Sequence, residues 1–334
     1  MANRYRLPPL PSIREIIELY KIRALKKLSQ NFLLDANLNK KIVRSAGRLK
    51  DGWVCEVGPG PGGITRAILE KNPEELAVIE KDPRFIPGLE LLNEASGGKI
   101  KIYHGDVLRF NTEEIIPQSK RRAWTEKTPN IHLIGNLPFS VSTPLIVQWL
   151  ENIATKTGPW KYGRVRMTLT FQKEVMQRMV ASVADIQRSR LSIMTQYLCD
   201  VRHEFTIPGK AFVPKPDVDV SVVHFVPRIE PLIDVPFKYV EKVVRHIFHY
   251  RQKMIKHGVR TLFPPDRPEL TEDMFKLADI NPSTRSFMLS ISDMGRLAMV
   301  YQTLCDENPG LFEYYYRDET NAAEWRRKKL PLNL

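Results

Sequence analysis

Cysteine is scarce in this chain, with three residues in 334: Cys55, Cys199 and Cys305. An odd, widely scattered set excludes a disulfide framework and offers none of the paired spacings that hold zinc, so reduced thiols and no metal are expected. No apolar run approaches the length of a membrane span, so no membrane partner is expected. Acidic residues are in deficit, 38 Asp+Glu against 51 Lys+Arg, for a formal net charge of +13. That balance favours a polyanionic partner such as nucleic acid. Gly-Lys-Ser/Thr is missing too, which excludes a nucleoside-triphosphate loop.

What is present centres on Trp53-Val54-Cys55-Glu56-Val57-Gly58-Pro59-Gly60-Pro61-Gly62-Gly63-Ile64-Thr65. It reads as a buried strand, a tight glycine turn and a helix starting near Ile64. Gly58, Gly60 and Gly63 have the spacing G-x-G-x-x-G, which lets a ligand approach bare backbone. Pro59 and Pro61 remove two N–H donors that a pyrophosphate would want. Glu56 repels phosphate and attracts an amine or a sulfonium. The ligand these features suggest is S-adenosylmethionine, which has an amino-acid end and no phosphate.

From Trp53 onward strands and helices alternate. Strands are expected at 53–57, 76–80, 99–104, 131–135, 165–171, 199–206 and 219–226, and helices at 64–71, 84–94, 143–153, 172–182 and 189–198. This order predicts a doubly wound, mostly parallel seven-stranded α/β sheet with its ligand at the carboxyl ends of the strands. Glu80, 22 residues past Gly58, then suits a pair of ribose hydroxyls. Asp106 is placed to accept from an adenine amino group.

The fourth strand ends in Ile134-Gly135-Asn136-Leu137-Pro138-Phe139. An exocyclic amine is hard to methylate because its lone pair is delocalised into the ring. Acceptors around its N–H groups favour a pyramidal nitrogen and expose that lone pair. The Asn136 side-chain oxygen and the Leu137 carbonyl can serve; Pro138 stiffens the turn and Phe139 offers a stacking face for a flipped base. Phe212, in the loop Ile207–Pro216, is expected to be held out among prolines and lysines as a second stacking face.

Ser12 and Glu15 form a capping box ahead of a short helix. The loop 117–130 carries Lys120, Arg121, Arg122 and Lys127. Pro227, Pro231 and Pro236 mark a linker, after which Val240, Val243, Val244, Ile247 and Phe248 form one helical stripe. Lys238, Lys242, Arg245, His249, Lys253 and Lys256 are expected on the opposite face, tracking phosphates. The domain boundaries expected are 1–27 for a lead-in and helix, 28–228 for the sheet domain, 229–318 for a helical RNA-contacting domain and 319–334 for a disordered basic tail. Arg4, Arg6 and Arg14, with no acid among the first fourteen residues, are compatible with mitochondrial import.

Together these stretches resemble the rRNA adenine N6-dimethyltransferase family, and its mitochondrial branch in particular. The similar segments are Leu28–Asp35, Glu56–Thr65, Val78–Asp82, Gly105–Val107, Asn136–Phe139, Phe171–Glu174, Ala211–Val220, Asn281–Arg285 and Leu289-Ser290. The resemblance implies a class I S-adenosylmethionine-dependent methyltransferase with a small C-terminal helical domain. It implies dimethylation of two adjacent adenosines in a hairpin near the 3′ end of small-subunit rRNA, in the mitochondrial matrix, by a monomer that supports small-subunit assembly. Carried over by position, Gln30, Asn31, Leu33, Gly58, Glu80, Lys81, Asp106, Val107 and Asn136 line the cofactor site, joined by Glu56 and Gly60 from the glycine turn. Asn136, Leu137, Pro138, Phe139 and Phe212 hold the target base. Phe139 stands where many relatives have Tyr, which keeps stacking and removes any hydroxyl role. A second reading is a non-catalytic factor that binds nucleic acid, with the mitochondrial transcription machinery, DNA or the assembling small ribosomal subunit as partners.

Overall fold

The structure, a computed structural model, describes residues 7–8, 10–19 and 31–317. Arg4, Arg6, Gln30 and the basic tail lie outside them. The described residues form two compact units. One gathers those of Met1–Met176 and Cys199–Ile229, the other those of Gln177–Leu198 and Glu230–Leu334. The expected single division at 229 is therefore corrected: the stretch 177–198 leaves the sheet and packs with the C-terminal helices.

The first unit runs α1 (Ile13–Leu19), β1 (Phe32–Leu33), α2 (Ala36–Ser45), β2 (Trp53–Val57), α3 (Gly63–Leu69), β3 (Glu75–Glu80), α4 (Ile86–Ala95), β4 (Ile100–His104), β5 (Ile131–Gly135), α5 (Phe139–Thr155) and β6 (Arg166–Gln172). After α6 (Lys173–Val180) and α7 (Arg190–Leu198), the chain returns for β7 (Cys199–Ile207), β8 (Phe212–Val213) and β9 (Val220–Pro227). Seven strands form one sheet in the order β4-β3-β2-β5-β6-β9-β7. The first five are mutually parallel, and β9 is antiparallel to β6 and β7. Every residue of β2 and β5 is buried, as a strand covered on both faces requires. The edge strand β7 exposes His203 and Glu204 and shifts register between His203 and Phe205, a charged, irregular border that resists further pairing.

All seven expected strands stand within one residue at each end. Helix α5 begins earlier than its hydrophobic period indicated, at Phe139, directly after Pro138. The two-residue strands β1 and β8 were not expected. They pair antiparallel, Phe32 with Val213 and Leu33 with Phe212. Asp35 caps α2 by accepting from the amides of Asn37 and Leu38. The capping box at α1 forms as expected, with Ser12 N donating to Glu15 and Glu15 N to the Ser12 hydroxyl.

The second unit is helical. It holds α7, α8 (Phe237–His249), α9 (Lys256–Val259), α10 (Pro268–Ala278) and α11 (Ile291–Glu307). A backbone close approach joins α9 to α8: a Cβ at Gly258 would lie 2.6 Å from the His246 carbonyl oxygen. Buried Arg188 donates to the carbonyls of Ala181 and Leu289 at 2.8 and 3.1 Å.

Helix α8 corrects the expected basic stripe. It is buried on more than its apolar side, because the segment Leu311–Tyr316 and the rings of Tyr301 and Phe312 cover part of its basic side. Lys242 is 5% exposed, and its ammonium donates to the carbonyls of Phe312 and Tyr314. Arg245 pairs with Glu241 at 3.4 Å. Arg317 donates to the His249 ring at 2.8 Å. Lys238 is exposed, with its ammonium over the Tyr239 and Phe312 rings. Lys253 and Lys256 are exposed beyond the end of α8.

Candidate active site

A pocket opens at the carboxyl ends of β2, β3 and β5, where a doubly wound sheet places its ligand. The glycine turn forms one wall. Gly58, Gly60 and Gly62 have φ of +66°, +52° and +85°, a region closed to most side chains. A Cβ at Gly58 would lie 2.8 Å from Leu137 Cδ2. At Gly135 it would lie 2.5 Å from Val57 Cγ2. Bare backbone at these two positions lets the end of β5 lie against the end of β2. Asn136-Leu137 thus sits beside the turn.

Two carboxylates enter this pocket. Glu80 accepts from Gly60 N at 2.9 Å and from Asp82 N at 2.8 Å. The loop amide nearest the ligand space is therefore engaged by the protein's own acid. Glu56 is 1% exposed, and its Oε2 has no hydrogen-bond partner among the described residues. Burial pushes the Glu56 carboxyl up to about 8; nearby Glu80 adds to the rise and Thr65 opposes it. Burial also raises Glu80. Among the described residues, no Lys, Arg or His lines the pocket. From these residues a phosphate-bearing cofactor would meet two acids and no cation, whereas an ammonium or a sulfonium would relieve an unpartnered carboxylate oxygen. The lining, with two acids and the bare backbone of Gly58 and Gly60, fits S-adenosylmethionine.

Next to this wall, the Asn136 side-chain oxygen accepts from the Thr170 hydroxyl at 2.8 Å. Thr170 is fully buried on β6, so the carboxamide is fixed from behind. Amide oxygens have two lone pairs, which leaves one for a substrate N–H. Leu137, Pro138 and half-buried Phe139 line the same pocket, and Pro138 caps α5. Phe212 also lines it, but the expected outward projection is corrected. The ring is 2% exposed, because pairing with Leu33 turns it into the wall.

Of the expected cofactor residues, Asn31, Leu33, Glu56, Gly58, Gly60, Glu80 and Asn136 line the pocket. Lys81, Asp106 and Val107 do not. Lys81 Nζ donates to Asp106 at 2.8 Å, and Leu108 N donates to the other Asp106 oxygen at 3.1 Å. The lysine beside it holds the Asp106 carboxyl below its usual range. Val107 lines a separate cavity with Trp149. Eight lining residues were not among the expected site residues: Phe32, Asn39, Pro59, Pro61, Gly63, Ile64, Phe85 and Val220. Asn39 donates to the Leu33 carbonyl at 3.2 Å. Phe85 packs edge-on against Phe32 with centroids 5.5 Å apart. Pro61 completes the turn. The signal that could have found Asn39 is Asp35 as the cap that starts α2, which went unread in the sequence.

Sheet order and an anionic, phosphate-averse pocket define the class: this is a class I S-adenosylmethionine-dependent methyltransferase. The ribosomal RNA adenine dimethylase family matches residues 22–301, and the chain belongs to that family. It is 59% identical over 325 residues to the human protein named dimethyladenosine transferase 1, mitochondrial, covering 97% of this chain and 94% of that one. A Caenorhabditis elegans protein of the same name is 45% identical, over 97% of this chain and 90% of its own length. In fold, the chain is similar to a crystal structure of a dimethyladenosine transferase from Plasmodium falciparum. The TM-score is 0.62 at 22% identity, over 80% of this chain and 96% of that one. The chain is an rRNA adenine dimethyltransferase, and rRNA is its substrate.

Proposed function

We propose that this chain dimethylates N6 of two adjacent adenosines in the hairpin loop near the 3′ end of mitochondrial small-subunit rRNA. It does so as a monomer in the matrix and thereby supports assembly of the small subunit. The observation that carries this reading is the contact between the Asn136-Leu137 turn and the glycine turn. One turn offers acceptors for an exocyclic amine and the other holds a methyl donor. The mitochondrial names of the similar proteins support the compartment and the choice of rRNA.

S-adenosylmethionine supplies an electrophilic methyl group. Glu56 and Glu80 would hold the donor, Glu56 by attraction to its positive charge and Glu80 as an acceptor for its ribose hydroxyls. Asn136 Oδ1, held by Thr170, and the Leu137 carbonyl accept the two N6 hydrogens. Phe139 and the Phe212 wall bound the purine. The donor, when bound, would give its methyl group to the N6 lone pair and leave as the thioether. The resulting ammonium gives its proton to solvent, so no strong base is required and catalysis rests on positioning. Of the lysines expected to contact phosphate, Lys238, Lys253 and Lys256 are exposed and Lys242 is not. Mass spectrometry of the isolated hairpin RNA after incubation with donor tests the proposal. Two dimethylated adenosines are expected; unmodified adenosines, with both ligands bound, would overturn it.

A further inference from the structure

The rim of the sheet opposite the pocket carries a second charged surface. The loop 117–130 leads into the amino end of β5, and Asn130 is bonded there to the start of β2, Trp53 N donating to its carbonyl at 3.0 Å. The five residues of β5, at about 3.3 Å each, put roughly 16 Å of strand between this rim and Asn136. Lys50, Arg121, Arg122, Lys127 and Lys156 are all exposed here, and none pairs with a carboxylate among the described residues.

The loop is held in place rather than loose. Arg164 donates to the carbonyls of Trp124, Glu126 and Pro227 at 3.0, 2.8 and 3.3 Å. Trp124 donates from its ring to the Ile229 carbonyl at 2.9 Å. Arg122 N bonds the Tyr162 carbonyl at 3.1 Å. Gly163 lies so close that a Cβ would sit 2.9 Å from the Arg122 carbonyl oxygen. Lys120, by contrast, is spent on Glu74. The Lys156 ammonium stands 5.3 Å from the centre of the Trp124 ring. Fixed backbone therefore presents unneutralised cations as an ordered array, and ordering them in advance lowers the entropy lost on binding.

We propose that this rim is a second RNA-docking surface, which grips the phosphate backbone of a segment other than the one that presents the target adenosine. The inference rests on the rRNA-methylating reading. Regularly spaced phosphates match an array in which cations outnumber the acids Asp51 and Glu126, and the resulting affinity is sequence-independent and salt-sensitive.

The test uses the full chain with Arg121→Glu/Arg122→Glu/Lys127→Glu. A second variant, Lys50→Glu/Lys156→Glu, lies outside the loop and leaves the hydrogen bonds of Arg164, Trp124 and Arg122 N that pin it. Fluorescence anisotropy against salt is measured on the isolated hairpin and on the hairpin extended by neighbouring duplex rRNA. For the extended RNA, each variant should lose about tenfold or more in affinity at low salt. The slope of log affinity against log salt should become shallower by about 0.7–0.9 per lost contact. Hairpin binding and hairpin methylation should stay as in the wild type, which also certifies folding. Unchanged affinity for the extended RNA in both variants would overturn the proposal, as would equal losses on both RNAs. Polyglutamate binding that is lost in the variants, with affinity for the extended RNA unchanged, would assign the surface to an acidic protein and overturn it too. Failure of the wild type to methylate the hairpin sinks the activity reading separately, because the anisotropy comparison does not depend on turnover.

Discussion

Glu56 buries a carboxylate with one oxygen unpartnered, and this has a measurable pH signature. Its folded pKa, about 8, lies above the ordinary value of 4.5. Between those values the folded state binds more protons than the unfolded state, so this group lowers stability as pH rises through the window. Thermal melts of the ligand-free protein from pH 5 to 9 should show that decline, and Glu56→Gln should flatten it. Calorimetry in buffers of different ionisation heat should find a proton released when donor binds near pH 7. Thr170→Val tests the acceptor side. Losing one hydrogen bond of about 1 kcal/mol should lower kcat roughly five- to tenfold. Donor affinity, read by calorimetry, should hold. The sequence alone exposed Glu56, Glu80, Asn136 and Phe139, since each follows a strand end or a turn of distinctive composition. Thr170 and Phe85 could not be read that way, because what makes them relevant is a neighbour far along the chain. Phe212 was recognised as a site residue but given the wrong orientation: the pairing of β1 with β8 involves only two residues and leaves no periodic trace.

Among the elements, the junction of β2 and β5 is the most tightly specified. Gly135→Ala forces a methyl group against Val57 and should cost about 1–3 kcal/mol by overpacking. Thermal midpoint and donor affinity should fall together. Strands were legible to within a residue because buried parallel strands are continuous apolar runs. The helix after Pro138 was placed too late because its first turn belongs to the site and breaks the hydrophobic period. Helix α8 misled for the opposite reason. A clean amphipathic pattern normally marks a helix with one wet side, yet here a later segment covers part of that side, and Lys242 points into it to satisfy two carbonyls. Lys242→Ala should therefore destabilise the helical unit by about 1–3 kcal/mol through orphaned carbonyls. The salt slope of RNA binding should be the same as in the wild type; a shallower slope would restore the phosphate-contact role.

At the scale of the whole chain, a net charge of +13 and an acidic pocket divide the labour. RNA affinity should fall steeply with salt, with a log–log slope of about −4 if roughly six phosphates are engaged. Donor affinity should barely respond, because buried groups are poorly screened. Calorimetry and anisotropy over 50–400 mM salt, about that range, would separate the two. Charge composition revealed the polyanionic partner at once, but not the division into units, since the excursion 177–198 has no linker composition to announce it. Finally, the Leu137 side chain fills the space over Gly58 and lines the same pocket as Phe139. Reshaping that leucine therefore disturbs the glycine turn as well as the rest of the pocket wall. An effort to retarget the enzyme to another nucleobase should begin at Phe139 and the far wall, and leave that leucine in place.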